Sequence, residues 1–121
     1  MGRKTKLALW GGTLAALIAI YGVLSPPPDT IRRARETVLR QDLYDLRRLI
    51  AEYTRDKQRP PASLQELVTS GYLKPIPKDP ITGREDTWVV EASTDPKLPG
   101  IIDVHSGSRQ ISSKGDPYSA W

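Results

Sequence analysis

DTIRRARETVLRQDLYDLRRLIAEYTRDK, residues Asp29 to Lys57, is the stretch on which the fold turns. Within it Leu39, Leu43, Leu46, Ile50 and Tyr53 recur at alternating steps of four and three residues. On a helix of 3.6 residues per turn that spacing places all five in one stripe facing a core. Ile31, Ala34, Val38 and Leu49 widen the stripe, and Arg33, Arg40, Arg47, Arg48 and Arg55 fall on the remaining surface as a solvated face. Burying the five stripe residues contributes roughly 1.5–3 kcal/mol each before entropy is subtracted, enough to nucleate a small domain. The pattern predicts one helix over Asp29 to Lys57, with Asp29 as N-cap and Arg59-Pro60-Pro61 as the stop.

Upstream, Pro26, Pro27 and Pro28 cannot continue a helix and separate this segment from Leu7 to Leu24, a run without charge. Eighteen residues at about 1.5 Å each span roughly 27 Å, close to the hydrocarbon thickness of a bilayer. Tyr21 to Leu24 offers no Ala-x-Ala cleavage site, which favours an anchor that stays over a cleaved signal peptide. Arg3, Lys4 and Lys6 place the N-terminus in the cytoplasm. The expected organisation is a basic tail over 1–6, a transmembrane helix over 7–24, a proline linker over 25–28 and one domain over 29–121 outside the cytoplasm.

Downstream, Ser63 with Glu66 three residues on forms a capping box, and Gly71 suits a left-handed stop, which predicts a short helix over Ser63 to Ser70. Pro75, Pro77, Pro80 and Gly83 mark an irregular loop over Tyr72 to Arg84, with a turn at Asp79-Pro80-Ile81-Thr82. Thr87 to Ala92, Gly100 to His105 and Arg109 to Ser112 are short β-prone runs separated by turn residues. They predict a three-stranded antiparallel meander laid on the long helix, an α+β domain. Tyr118 and Trp121 in the closing segment are expected to pack on that domain.

The chain has no cysteine, so neither a disulfide framework nor a thiolate metal site is available. Residues 1–59 carry 12 Lys/Arg against 6 Asp/Glu, and residues 60–121 carry 6 against 8. Arg32, Arg33, Arg35 and Arg40 lie next to the expected span, where a solvated face, anionic headgroups or an acidic neighbour account for them better than nucleic acid does. Catalysis has little support. Asp103 and His105 share a face of a strand and Ser106 points to the other, so no triad follows from the spacing. Glu85 and Asp86 read as solvated charges beside a turn, and Gly71, Gly83, Gly100, Gly107 and Gly115 are isolated turn glycines, with no phosphate loop.

The order of these pieces resembles a known family. Leu49-Ile50-Ala51-Glu52-Tyr53-Thr54-Arg55-Asp56-Lys57-Gln58-Arg59-Pro60-Pro61 is followed by Ser63-Leu64-Gln65-Glu66-Leu67, Gly71-Tyr72-Leu73 and Pro77-Lys78-Asp79-Pro80-Ile81-Thr82-Gly83. The chain closes with Asp103-Val104-His105-Ser106-Gly107-Ser108 and Pro117-Tyr118-Ser119-Ala120-Trp121. In combination this is similar to the G-type (major) pseudopilins of type II secretion, within the type IV pilin superfamily, from about residue 35 onward. The resemblance implies a non-enzymatic, single-pass subunit of the bacterial inner membrane with a periplasmic domain. Such subunits assemble with themselves, with other pseudopilins or with further parts of the machine in support of protein secretion. It also implies a calcium ion near the last strand, for which Asp103 and Asp116 are the nearby carboxylates, although six to eight oxygens are needed.

The N-terminus departs from the family. Relatives carry a Gly-Phe-Thr-Leu-Ile-Glu type processing signal, and the nearest match here, Gly11-Gly12-Thr13-Leu14-Ala15-Ala16-Leu17, has Gly for Phe and Ala for Glu. That departure favours an alternative, a membrane-tethered accessory or binding protein that does not polymerise. The assembly face expected in the first reading is the strip Ile31, Ala34 and Val38. A helix from Asp29 to Lys57 runs about 43 Å whereas a domain of this size is about 25–30 Å across, so its first turns are expected to project beyond their own core.

Overall fold

The computed structural model describes residues 26–121. The expected tail over 1–6 and span over 7–24 lie outside them, and no helix among the described residues is long and apolar enough to cross a membrane. The elements are helix α1, Pro28–Lys57, helix α2, Leu64–Thr69, strands β1, Val89–Ala92, and β2, Ile101–His105, and a single 3-10 turn, Tyr118–Ala120. Residues Arg32–Trp121 form a compact unit, an α+β domain of one long helix and a two-stranded antiparallel sheet.

Helix α1 begins two residues earlier than an N-cap at Asp29 would place it. Pro28 is its first residue and Asp29 lies in the first turn, where its charge meets the positive end of the helix dipole. Proline suits that position because the first N–H groups of a helix have no internal partner. The Thr30 N–H donates to Pro27 O at 3.0 Å. At the other end Gln58 adopts a left-handed φ of 57°, and its side-chain amide donates to Arg55 O at 2.7 Å. The helix thus ends at Lys57, as predicted, with Gln58 between it and the Arg59-Pro60-Pro61 stop.

The core stripe is as the spacing predicts: Leu39, Leu43, Leu46, Ile50 and Tyr53 are all buried. Leu64 and Leu67 of α2, Trp88, Ile101 and Val104 around the sheet, and Tyr118 complete the same cluster. Ser63 caps α2 through its hydroxyl, which accepts from the Glu66 N–H at 3.2 Å, and Gly71 follows with φ 82°. The Glu66 carboxylate departs from a capping box, reaching past Ser63 to accept from the Ala62 N–H, Arg59 Nη2 and the Tyr53 hydroxyl. It thereby ties the end of α1 to the start of α2.

In the loop, Asp79 is wholly buried and organises the turn. Its Oδ1 accepts from the Ile81 N–H at 2.8 Å, and its main-chain carbonyl accepts from the Gly83 N–H at 2.7 Å. Its Oδ2 accepts from the Ser106 hydroxyl at 2.5 Å, pinning the loop to the residue that follows β2. Gly107 is needed there, since a Cβ would sit 1.8 Å from Thr87 O.

The expected third strand is absent among the described residues. β1 pairs with β2 over Val89↔His105, Val90↔Val104 and Glu91↔Asp103, with a register shift before Ala92↔Ile101. Arg109 to Ser112 instead folds back on the closing segment, with an isolated bridge Ile111↔Pro117 and a Tyr118 N–H to Gln110 O bond of 3.1 Å. The cause lies in Ser106–Ser108. Ser106 and Ser108 are buried, and Ser106 Oγ accepts from the Ser108 N–H at 3.1 Å, so the backbone turns inward instead of returning beside β2.

Candidate functional site

The strip Ile31, Ala34 and Val38 does not widen the core stripe. Ile31 is 42% exposed and Val38 49%, and Ala34 is exposed as well. Val38 is the residue next to Leu39, and the turn of about 100° between consecutive helical residues carries it off the buried line. Glu36 takes the core-facing position on these turns.

Glu36 is only 2% exposed, and nothing in the apolar periodicity marks it. Its Oε1 accepts from the Ser113 N–H at 2.7 Å and the Tyr118 hydroxyl at 2.8 Å, and its Oε2 from the Ser113 hydroxyl at 2.6 Å. Arg32 Nε stands 3.8 Å away, and that guanidinium also donates to Ile111 O. Burial alone would raise the carboxyl's pKa, but the two Ser113 bonds, the Tyr118 bond and Arg32 hold it at about 2. The segment after β2 therefore reaches back along α1 as far as Arg32, covering turns that the length argument leaves projecting.

Arg47 is also misplaced by the sequence argument. It is no part of a solvated face: its Nε donates to Asp103 Oδ1 at 2.7 Å, and its Nη2 donates to Val104 O at 2.9 Å and Trp121 O at 2.8 Å. It sits one residue from Leu46, at the edge of the core stripe, and an arginine there can lay its stem on apolar surface and reach across it. Arg40, seven residues earlier on the same line, stacks its guanidinium 4.4 Å from the Trp121 ring centre. Tyr118 and Trp121 meet edge to face at 5.2 Å, so both aromatics pack on the domain as expected.

Between this line and the closing segment lies an open groove of about 750 Å³, lined by Arg40, Leu43, Tyr44, Arg47, Lys114 and Trp121 among others. Its lining mixes the cations of Arg40, Arg47, Arg48 and Lys114 with the Asp116 carboxylate and the apolar surface of Leu43, Tyr44 and Trp121. The two calcium candidates stand in different networks. Asp103 accepts from Arg47 and, at 2.8 Å, from the Val104 N–H, whereas Asp116 accepts from the Ser112 hydroxyl and, at 2.9 Å, from Trp121 Nε1. Against the rise that burial alone would give Asp103, the Val104 N–H and Arg47 lower its pKa; the Ser112 hydrogen bond lowers that of Asp116.

Asp103 and His105 share a face, with His105 Nε2 3.6 Å from Asp103 Oδ2. Ser106 is committed elsewhere, to Asp79. Glu85 and Asp86 are exposed, and Asp86 forms a two-pronged pair with Arg84 at 2.8 and 2.6 Å. No protein-family model, no curated protein and no solved structure matches the chain.

Proposed function

We propose that this chain is a pseudopilin-like structural subunit of a type II secretion or type IV pilus-like machine. In this reading residues 7–24 anchor it in the bacterial inner membrane, with the domain in the periplasm. It binds other pseudopilins, further copies of itself or other machine subunits rather than nucleic acid, and it performs no catalysis. The observation that carries the reading is the strip of Ile31, Ala34 and Val38, which is exposed on turns whose buried side is filled by Glu36. A domain with no neighbour gains nothing by keeping apolar side chains in water there, whereas a second helix laid along them would bury them. The order of a long helix, a short capped helix, an Asp-Pro loop and a closing aromatic segment supports the same reading.

The alternative, a tethered accessory or binding protein that does not polymerise, is favoured by one feature, Ala16 at the place of the family's glutamate. Disulfide crosslinking in the native membrane separates the two, since the chain has no cysteine of its own. Cysteines at Ile31 and Val38 crosslink between chains if the helices assemble, and cysteines at Arg33 and Arg40 do not. Equal crosslinking at all four positions, or none, supports the tethered module.

A further inference from the structure

Glu91, Asp103 and His105 bring one ligand atom each to within 4.8 Å of one another on the β1–β2 ribbon. The pairing Glu91↔Asp103 sets two carboxylates opposite each other, and His105 lies two residues along the same face. Like charges directly across a ladder repel, and Arg47 pairs with Asp103 alone, so a further cation between the two carboxylates would favour the arrangement.

The histidine is prepared from behind. Its Nδ1 lies 2.8 Å from Trp121 O and 3.4 Å from Arg47 Nη2. Both hydrogens of Nη2 go to carbonyls, those of Val104 and Trp121, leaving none for the ring. A carbonyl only accepts, so Nδ1 carries the proton and donates it to Trp121 O. Nε2 is then the nitrogen that faces the carboxylates. A backbone carbonyl holding one ring nitrogen while the other is aimed outward is the usual setting of a metal-ligating histidine.

The distances point the same way. Nε2 is 3.5 Å from Glu91 Oε2 and 3.6 Å from Asp103 Oδ2, at or beyond the limit of a useful hydrogen bond. Two ligand atoms each about 2.1 Å from a tetrahedral zinc ion stand about 3.4 Å apart. Asp103 can serve without giving up its ion pair, because Arg47 holds Oδ1 and Oδ2 is the atom turned to the histidine. With Arg47 counted, two carboxylates and one guanidinium leave the site one negative charge, which favours a divalent cation.

We propose that Glu91, Asp103 and His105 form a zinc-binding site, with Arg47 and Trp121 as positioning groups and a fourth coordination position open to water or to a side chain of another molecule. The site is independent of the assembly reading, since it uses none of Ile31, Ala34 or Val38. Imidazole and carboxylate ligands suit zinc, and a soft thiolate metal is excluded by the lack of cysteine.

The test is calorimetric titration of the untagged full chain in detergent with zinc chloride. His105 is the sole histidine, so a zinc ion held through nitrogen has no other side chain to use. Wild type is expected to take up one ion, and His105→Gln and Glu91→Gln to bind it at least about tenfold more weakly. Circular dichroism melts on both variants check that the fold is kept; Glu91 is exposed, so its variant folds whatever its role. Failure of the wild type to bind zinc overturns the proposal. So does uptake by His105→Gln with unchanged affinity, which would place the ion on other surface carboxylates.

Discussion

From Leu39 to Tyr53, α1 turns five apolar side chains into the core, whereas from Pro28 to Val38 it buries a single residue, the carboxylate Glu36. The two halves share one backbone and carry three arginines each, yet they are held by different forces. The downstream half is held by non-directional burial, which any well-shaped partner surface supplies. The upstream half is held by hydrogen bonds and an ion pair to Arg32, Ser113 and Tyr118. Such a clamp is directional, depends on charge, and leaves the apolar residues of those turns free for another surface.

The largest effect that separates the halves belongs to Leu46. Replacing it with aspartate buries an unpaired carboxylate at a cost of several kcal/mol against a total stability of about 5–15, so Leu46→Asp is expected to unfold the domain. A melting temperature equal to that of wild type would show that the downstream stripe is not what holds the helix.

Glu36 comes next. Glu36→Gln keeps the size of the side chain but removes the charge that Tyr118, Ser113 and Arg32 surround, and is expected to cost about 2 kcal/mol at neutral pH. The clamp also has a pH signature. The carboxyl titrates at about 2 in the folded domain against 4.5 ordinarily. Its contribution is complete above the ordinary value and is lost as pH falls towards the folded one. Glu66 is likewise held at about 2, first by the Tyr53 hydroxyl, then by the Ala62 N–H and Arg59, and shares the window. The drop in melting temperature between pH 7 and pH 3 should therefore be smaller in Glu36→Gln, with the remainder shared by Glu66 and the other carboxyls held below their ordinary range, Asp103 and Asp116 among them. An identical drop in both proteins would remove Glu36 from the account.

This contrast also explains what the sequence could and could not disclose. Apolar periodicity found Leu39, Leu43, Leu46, Ile50 and Tyr53 because burial by area leaves a periodic trace. Capping chemistry found Ser63 and Gly71, and Pro and Gly placed the Asp79 turn, because each acts within a few residues of itself. Glu36 left no such trace. It looks like any surface glutamate until Ser113 and Tyr118, some eighty residues on, are brought against it. Arg47 failed the same way, its partners Asp103, Val104 and Trp121 all lying in the second half of the chain. β-propensity over Arg109 to Ser112 was overruled by Ser106 and Ser108, whose hydroxyls bend the backbone before a third strand can pair. Of the candidate groups, Asp103 and His105 were legible as same-face neighbours in a strand, but Glu91 joins them only through the β1–β2 register.

The smallest effect on stability is the one that bears most on function. Ile31 and Val38 are about half exposed, and neither belongs to the buried cluster. A serine at either position removes little that folding had buried, so Ile31→Ser, Val38→Ser and the double variant should each shift stability by no more than about 0.5 kcal/mol. If the strip serves a neighbouring helix, the same double variant ceases to support secretion, while its melting curve stays that of wild type. A loss of stability comparable to Glu36→Gln would show that the upstream half is held by apolar contacts within its own chain after all. The division between a half that folds the domain and a half left open to a partner would then fail.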